Sequence, residues 1–139
     1  MVCIGSIKEK YMTIHTANLL LVRGIPGSGK STYAKTLTDY VHFETDMYFS
    51  LSGEYKWDGS QLGRAHKWCQ NQVRQALLEG KKVVCSNTFI KRWEIKPYQD
   101  IANELHVSIE IIEMKGRYPN IHGVSEEHIQ KMLAKWEIL

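Results

Sequence analysis

The feature that most constrains this 139-residue chain is the run Gly24-Ile25-Pro26-Gly27-Ser28-Gly29-Lys30-Ser31. It satisfies the pattern G-x-x-x-x-G-K-[ST] in full. Glycine at 24, 27 and 29 opens backbone angles that a side chain would close. Successive loop N–H groups can then turn inward around an anion. Lys30 adds a point charge, and the Ser31 hydroxyl is a hard oxygen suited to Mg²⁺. The flanking residues carry as much weight as the motif. Asn18 to Arg23 is a short apolar run of the kind buried on both faces of a parallel sheet. Gly29 to about Asp39 reads as a helix with Tyr33, Ala34 and Leu37 along one side. A strand, a glycine loop and a helix N-terminus in that order form a phosphate cradle. Gly24, Pro26, Gly27, Ser28, Gly29, Lys30, Ser31 and Thr32 are therefore expected to bind a nucleoside triphosphate, ATP with Mg²⁺, with Ser31 as a metal ligand. Such contacts read phosphates and not the base, so ATP and GTP are not distinguished.

The same alternation continues along the chain. Val41 to Thr45 is a second strand, and Gly53 to Gly59 is a turn-rich loop. A long helix is expected from about Ser60 to Glu79, with Leu62, Ala65, His66, Cys69, Val73, Ala76 and Leu77 at helical spacing. Gly80 stands at its C-terminal end. Lys82 to Cys85 is a third strand. A helix near Trp93 to Leu105 follows, with Pro97 assigned to its first turn. Val107 to Met114 is a fourth strand, and Ser125 caps a last helix with Glu126 and Glu127 at its positive end. Strands alternating with helices imply an α/β fold with a parallel sheet, right-handed crossovers and helices in layers on both faces. The length fits one domain, assigned to residues 18–139. Residues 1–17 read as an N-terminal extension or short strand, with Met12 a possible natural start.

Composition excludes several classes. With 43% hydrophobic and 24% charged residues, the chain has the makings of an ordinary globular core. A net charge of +3 suits an anionic substrate without requiring one. Three widely spaced cysteines, Cys3, Cys69 and Cys85, make neither a disulfide framework nor a zinc pair, and point to a reducing, cytoplasmic setting. The longest apolar run, around Leu19 to Val22, is too short to span a membrane.

Catalytic groups in such a sheet gather at the C-terminal strand ends. Asp46 directly follows the second strand. It is the candidate base for an attacking hydroxyl, or a carboxylate that holds magnesium through water. The plainer reading is an Asp capping a surface turn. Glu44 is the weaker rival, placed on the opposite face. After the third strand many phosphate-loop enzymes carry a metal-binding Asp, and Ser86 stands there instead. Asn87 and Thr88 are candidate substrate contacts or simply a polar turn. Lys115 and Arg117 are candidates for a cation closing over the triphosphate, Arg117 offering the forked geometry that suits phosphate. Lys91, Arg92 and Lys96 are candidate contacts to a substrate phosphate, against a solvated helix start. Tyr48, Phe49, Tyr55 and Trp57 form either a stacking platform for bases or the packing of their own loop. His66 reads as structural.

Taken together, these motifs resemble those of bacteriophage polynucleotide kinases. They are more similar still to the kinase module of the Nedd4-binding protein family and its short phage-borne relatives. The likeness runs from the glycine loop through Thr45-Asp46-Met47-Tyr48-Phe49, Gly53-Glu54-Tyr55-Lys56-Trp57-Asp58 and Ala65-His66-Lys67-Trp68. It continues through Asn87-Thr88, Trp93-Glu94-Ile95-Lys96-Pro97-Tyr98 and His122-Gly123-Val124, covering roughly residues 18–137. The resemblance implies a kinase-type P-loop fold and transfer of the ATP γ-phosphate to a 5′-hydroxyl end of nucleic acid. It implies Asp46 as general base, Lys30 and Ser31 as phosphate and metal residues, and Arg117 as the lid arginine. Three positions depart from the pattern. Phe49 stands where the phage enzymes have arginine, Ser86 stands where the relatives read Asp before Asn-Thr, and the segment from Gly116 to Gly123 is short for a lid. A kinase for a small molecule such as a nucleoside or sugar, and a nucleotide-binding regulator with little catalysis, are the alternatives.

Overall fold

The computed structural model describes residues 15–118 and 123–139. Four strands, β1 (Leu19–Arg23), β2 (Val41–Phe43), β3 (Val83–Asn87) and β4 (Ile109–Glu113), form one sheet in the order β2-β3-β1-β4. Every pairing is parallel. The helices are α1 (Lys30–Thr36), α2 (Leu62–Leu78), α3 (Arg92–Leu105) and α4 (Glu126–Lys135), with two 3₁₀ turns at Thr45–Ser50 and Gly59–Gln61.

Central β1 is buried along its whole length, as its unbroken Leu-Leu-Leu-Val run requires. Alternation splits its side chains between two cores. Leu19 and Leu21 pack with Cys69, Val73 and Leu77 of α2 and Ile95, Tyr98 and Ile101 of α3. Leu20 and Val22 pack with Ala34 of α1 and Val84. Helices thus cover both faces, and the glycine loop leaves the sheet at its middle.

Several expected boundaries shift for identifiable reasons. β2 ends at Phe43 because the chain tightens into a 3₁₀ turn at Thr45. The first helix stops at Thr36, three residues short of Asp39, and α2 is preceded by a 3₁₀ turn capped by Asp58, which accepts from the Ser60 N–H at 3.0 Å. Gly80 closes α2 with φ 80°, and the Lys81 N–H returns to the Ala76 carbonyl at 3.0 Å. Pro97 lies inside α3, beyond the first turn, because the helix starts at Arg92. Its missing N–H deprives the Trp93 carbonyl of an intrahelical donor. Trp93 is exposed, so water can serve that carbonyl. Ser125 caps α4 as expected, accepting from the His128 N–H at 3.2 Å. No helix among the described residues is long and apolar enough to cross a membrane.

The expectation for residues 1–14 lies outside the described residues. Residues 15–17 are pinned to the domain: His15 meets the Tyr33 hydroxyl at 2.7 Å, and the Tyr40 hydroxyl donates to the Ala17 carbonyl at 2.6 Å.

Candidate active site

The loop between β1 and α1 has the backbone its glycines predict at two of three positions. Gly27 and Gly29 have φ of 82° and 92°, which side-chain-bearing residues rarely adopt. Gly24 is glycine for space instead. A Cβ there would run into Ser28 Oγ and stand 2.9 Å from the Met114 carbonyl oxygen. The segment after β4 leans on the loop. The Met114 N–H donates to Arg23 at 2.8 Å, and the Tyr118 N–H donates to the Gly27 carbonyl at 2.7 Å.

Lys30 begins α1, with Nζ 3.4 Å from the Ile25 carbonyl. Burial pushes its ammonium down, and the nearby Glu44 charge opposes that shift. Ser31 is half-buried beside it, and its hydroxyl donates to Glu44 Oε2 at 2.5 Å. Ser86 donates to the same oxygen at 2.6 Å, and His42 Nε2 lies 3.0 Å from it. Burial alone would raise the Glu44 carboxyl, but these three hydrogen bonds and the His42 charge outweigh it and hold it at about 2. The carboxylate on the Ser31 hydroxyl is therefore that of Glu44, which does not turn to the opposite face. His42 and Glu44 share one side of the extended chain, two residues apart, and that side looks toward Ser86 and Ser31.

Asp46 sits within the 3₁₀ turn, past the end of the strand's alternation. The Tyr55 hydroxyl donates to its Oδ1 at 2.8 Å. Around it Phe49 is buried and touches the rings of Tyr48, Tyr55 and Trp57 at centroid distances of 5.5, 6.5 and 6.3 Å. Tyr55 and Trp57 themselves are more than half exposed. The aromatic set is thus a core residue carrying two solvent-facing rings.

Other expected site residues have structural partners. The Asn87 side-chain Oδ1 accepts the Thr45 N–H at 2.9 Å, which anchors the turn that carries Asp46 to the end of β3. The Thr88 carbonyl accepts the Gly24 N–H at 3.3 Å and ties β3 to the loop. Arg92 does not stand free: its N–H donates to Glu137 at 2.8 Å and its guanidinium to the Ile138 carbonyl at 2.6 Å. Arg117 is half exposed and paired with Glu126 at 2.9 Å. With Lys115 it lines a cavity of about 350 Å³, walled also by Ile25, Glu113, Met114, Leu133 and Trp136. That cavity abuts the loop through Ile25 and joins residues too distant in sequence for any local motif to link. Thr32 is exposed on α1, and Pro26 and Ser28 are buried in the loop. His66 meets the Thr45 hydroxyl at 3.3 Å behind the turn. His122 lies outside the described residues.

A family model described as an AAA domain matches residues 19–137. The chain belongs to that family. Among its relatives, human NEDD4-binding protein 2 is 35% identical over 86% of this chain, which spans only 8% of that protein. An uncharacterized protein of Pasteurella multocida is 30% identical over 82% of this chain and 73% of its own length. A protein of Autographa californica nuclear polyhedrosis virus, assigned as a bifunctional polynucleotide kinase/RNA ligase, is 32% identical over 60% of this chain and 14% of its own length. Two solved structures share the fold. The Pnkp1/Rnl/Hen1 RNA repair complex superposes with a TM-score of 0.65 at 18% identity, covering 88% of this chain and 45% of that one. A gluconokinase from Sinorhizobium meliloti superposes with a TM-score of 0.60 at 15% identity, covering 86% of this chain and 74% of that one. This AAA-family chain thus has the parallel α/β fold of P-loop kinases.

Proposed function

We propose that this chain is an ATP-dependent phosphotransferase whose acceptor is the 5′-hydroxyl end of a polynucleotide. The observation that carries the reading is Asp46 held by the hydroxyl of exposed Tyr55, whose ring shares the Phe49 platform with exposed Trp57. A carboxylate placed among flat, solvent-facing rings suits a nucleotide whose base stacks while its hydroxyl meets the acid. The 32% identity to the viral kinase/ligase supports the choice of acceptor.

In this reading the loop from Gly24 to Thr32 holds the triphosphate, with Lys30 against the β- and γ-phosphates. Asp46 takes the proton of the acceptor hydroxyl as its oxygen bonds to the γ-phosphorus. The bond from that phosphorus to the β–γ bridging oxygen breaks, and ADP leaves with the bridging electrons. Ser31 fits magnesium: its hydroxyl donates its one proton to a carboxylate, so its lone pairs remain for a cation. The metal would supply charge neutralisation at the phosphates. Arg117 joins the site by leaving Glu126 for the nucleotide. The Asn87 side chain holds the Asp46 turn and the Thr88 carbonyl ties the loop to β3, while Arg92 rests on Ile138 at the edge of the site.

The test is transfer of labelled γ-phosphate from ATP to 5′-hydroxyl DNA and RNA oligonucleotides, with nucleosides and gluconate as competing acceptors. Labelled 5′ ends that disappear in Lys30→Ala and Asp46→Asn proteins are expected. Labelling of a nucleoside or gluconate alone would replace the polynucleotide by a small-molecule acceptor.

A further inference from the structure

P-loop enzymes commonly divide magnesium between the loop hydroxyl and an acidic residue at the end of a neighbouring strand. At the end of β3 this chain has Ser86, which is buried and carries no charge. The parallel register that sets Phe43 beside Cys85 brings Glu44 alongside Ser86, and the two side chains meet at 2.6 Å. Glu44 also reaches the Ser31 hydroxyl, 13 residues away in sequence. The three hydrogen bonds it accepts all converge on Oε2, and among the described residues Oε1 accepts none. One carboxylate oxygen is thereby fixed and the other left for a ligand. No group of three or more His, Cys, Asp or Glu side chains able to hold a metal occurs among the described residues. A site built from one hydroxyl and one carboxylate, completed by substrate phosphates, is what Mg²⁺ ordinarily uses. Asp46, the other acid of this strand end, accepts the Tyr55 hydroxyl and makes no hydrogen bond to Ser31 or Ser86, and in the reading above it meets the acceptor hydroxyl instead.

We propose that Glu44 is the magnesium-binding carboxylate of this site, supplying from β2 the charge that β3 lacks at Ser86. Ser86 and His42 then act as positioning residues that hold Oε2 and present Oε1. The proposal rests on the nucleotide-binding reading of the loop.

The experiment is calorimetric titration of the whole chain with the non-hydrolysable analogue AMPPNP, in MgCl₂ and in EDTA. It uses the parent, Glu44→Gln, Asp46→Asn and the exchange variant Glu44→Ser/Ser86→Asp, each checked for a cooperative thermal melt. The parent is expected to bind at least about tenfold more tightly with Mg²⁺ than without. Glu44→Gln keeps its metal-free affinity and loses most of that gain, whereas Asp46→Asn retains it. A full magnesium gain in Glu44→Gln would overturn the assignment, as would loss of the gain in Asp46→Asn alone. Should Glu44→Gln fail to fold, the exchange variant decides: a retained gain supports a single carboxylate shared by these two positions, and its absence overturns it. A parent that binds AMPPNP equally in both buffers refutes the Glu44 role and leaves nucleotide binding standing. A parent that binds in neither buffer removes both.

Discussion

The Arg23 guanidinium lies 3.9 Å from the ring centre of Trp136, joining the residue before the glycine loop to the last residues of the chain. Arg23 is 1% exposed. It donates to the carbonyls of Phe89, Ile90 and Glu137 and pairs with Glu113 at 3.2 Å. Its planar fork serves several acceptors while its face covers an indole, a combination lysine does not offer. Arg23→Met leaves three carbonyls without this donor and is expected to cost about 3 kcal/mol. Urea unfolding measures it, and a midpoint within error of the parent would show that the clamp adds nothing net.

Gly24→Ala tests the space argument at the loop. The added methyl meets Ser28 Oγ and the Met114 carbonyl, both in buried or packed surroundings. Overpacking of this kind costs about 2 kcal/mol, and nucleotide affinity is expected to fall with it because the loop must shift. Equal stability and equal affinity in the alanine variant would refute the steric reading of this position.

Asp46→Asn is expected to lower kcat by about 10²- to 10⁴-fold with KM for ATP little changed, the range for removing a general base. Tyr55→Phe removes the 2.8 Å hydrogen bond to Asp46 and keeps the ring. It should lower kcat much less and leave stacking of the acceptor intact. Steady-state rates with an oligonucleotide acceptor measure both, and a kcat unchanged in Asp46→Asn excludes the base role.

His66 gives a pH dependence of stability. Burial lowers its pKa, with Glu94 opposing in part, so the folded chain favours the neutral ring. A folded-state pKa below the unfolded value of 6.5 adds stability that is present above 6.5 and is lost as the pH falls through the lower folded value. The thermal midpoint is therefore expected to decline as the pH drops below about 6.5, and to decline less in His66→Gln. Identical slopes in the two proteins would assign the acid sensitivity elsewhere.

The elements whose signals are contiguous are legible in the sequence. Leu19 to Arg23, the glycine loop and Gly80 each declare themselves within a few residues, because strand burial, phosphate cradling and helix termination are local in origin. Asp46 stands out the same way as a candidate, as the acid just past a strand. Glu44 is illegible to alternation, which does not say where a strand stops or what its neighbour presents. The real partners, Ser31 and Ser86, are 13 and 42 residues away. The contacts of Arg92 are equally out of reach of local reasoning, since the residues that engage it lie 45 and 46 positions on.

By itself, then, the sequence determined an alternating α/β chain with a phosphate loop at its first strand. Its period-two and helical patterns and its glycines act over a few residues, and so does the physics they encode. Only the tertiary structure decided the order β2-β3-β1-β4, the clamp of Arg23 on Trp136 and the convergence of Ser31, His42 and Ser86 on the Glu44 carboxylate. Those depend on which strands pair and in what register, a choice made by the burial of whole faces and not by any one segment.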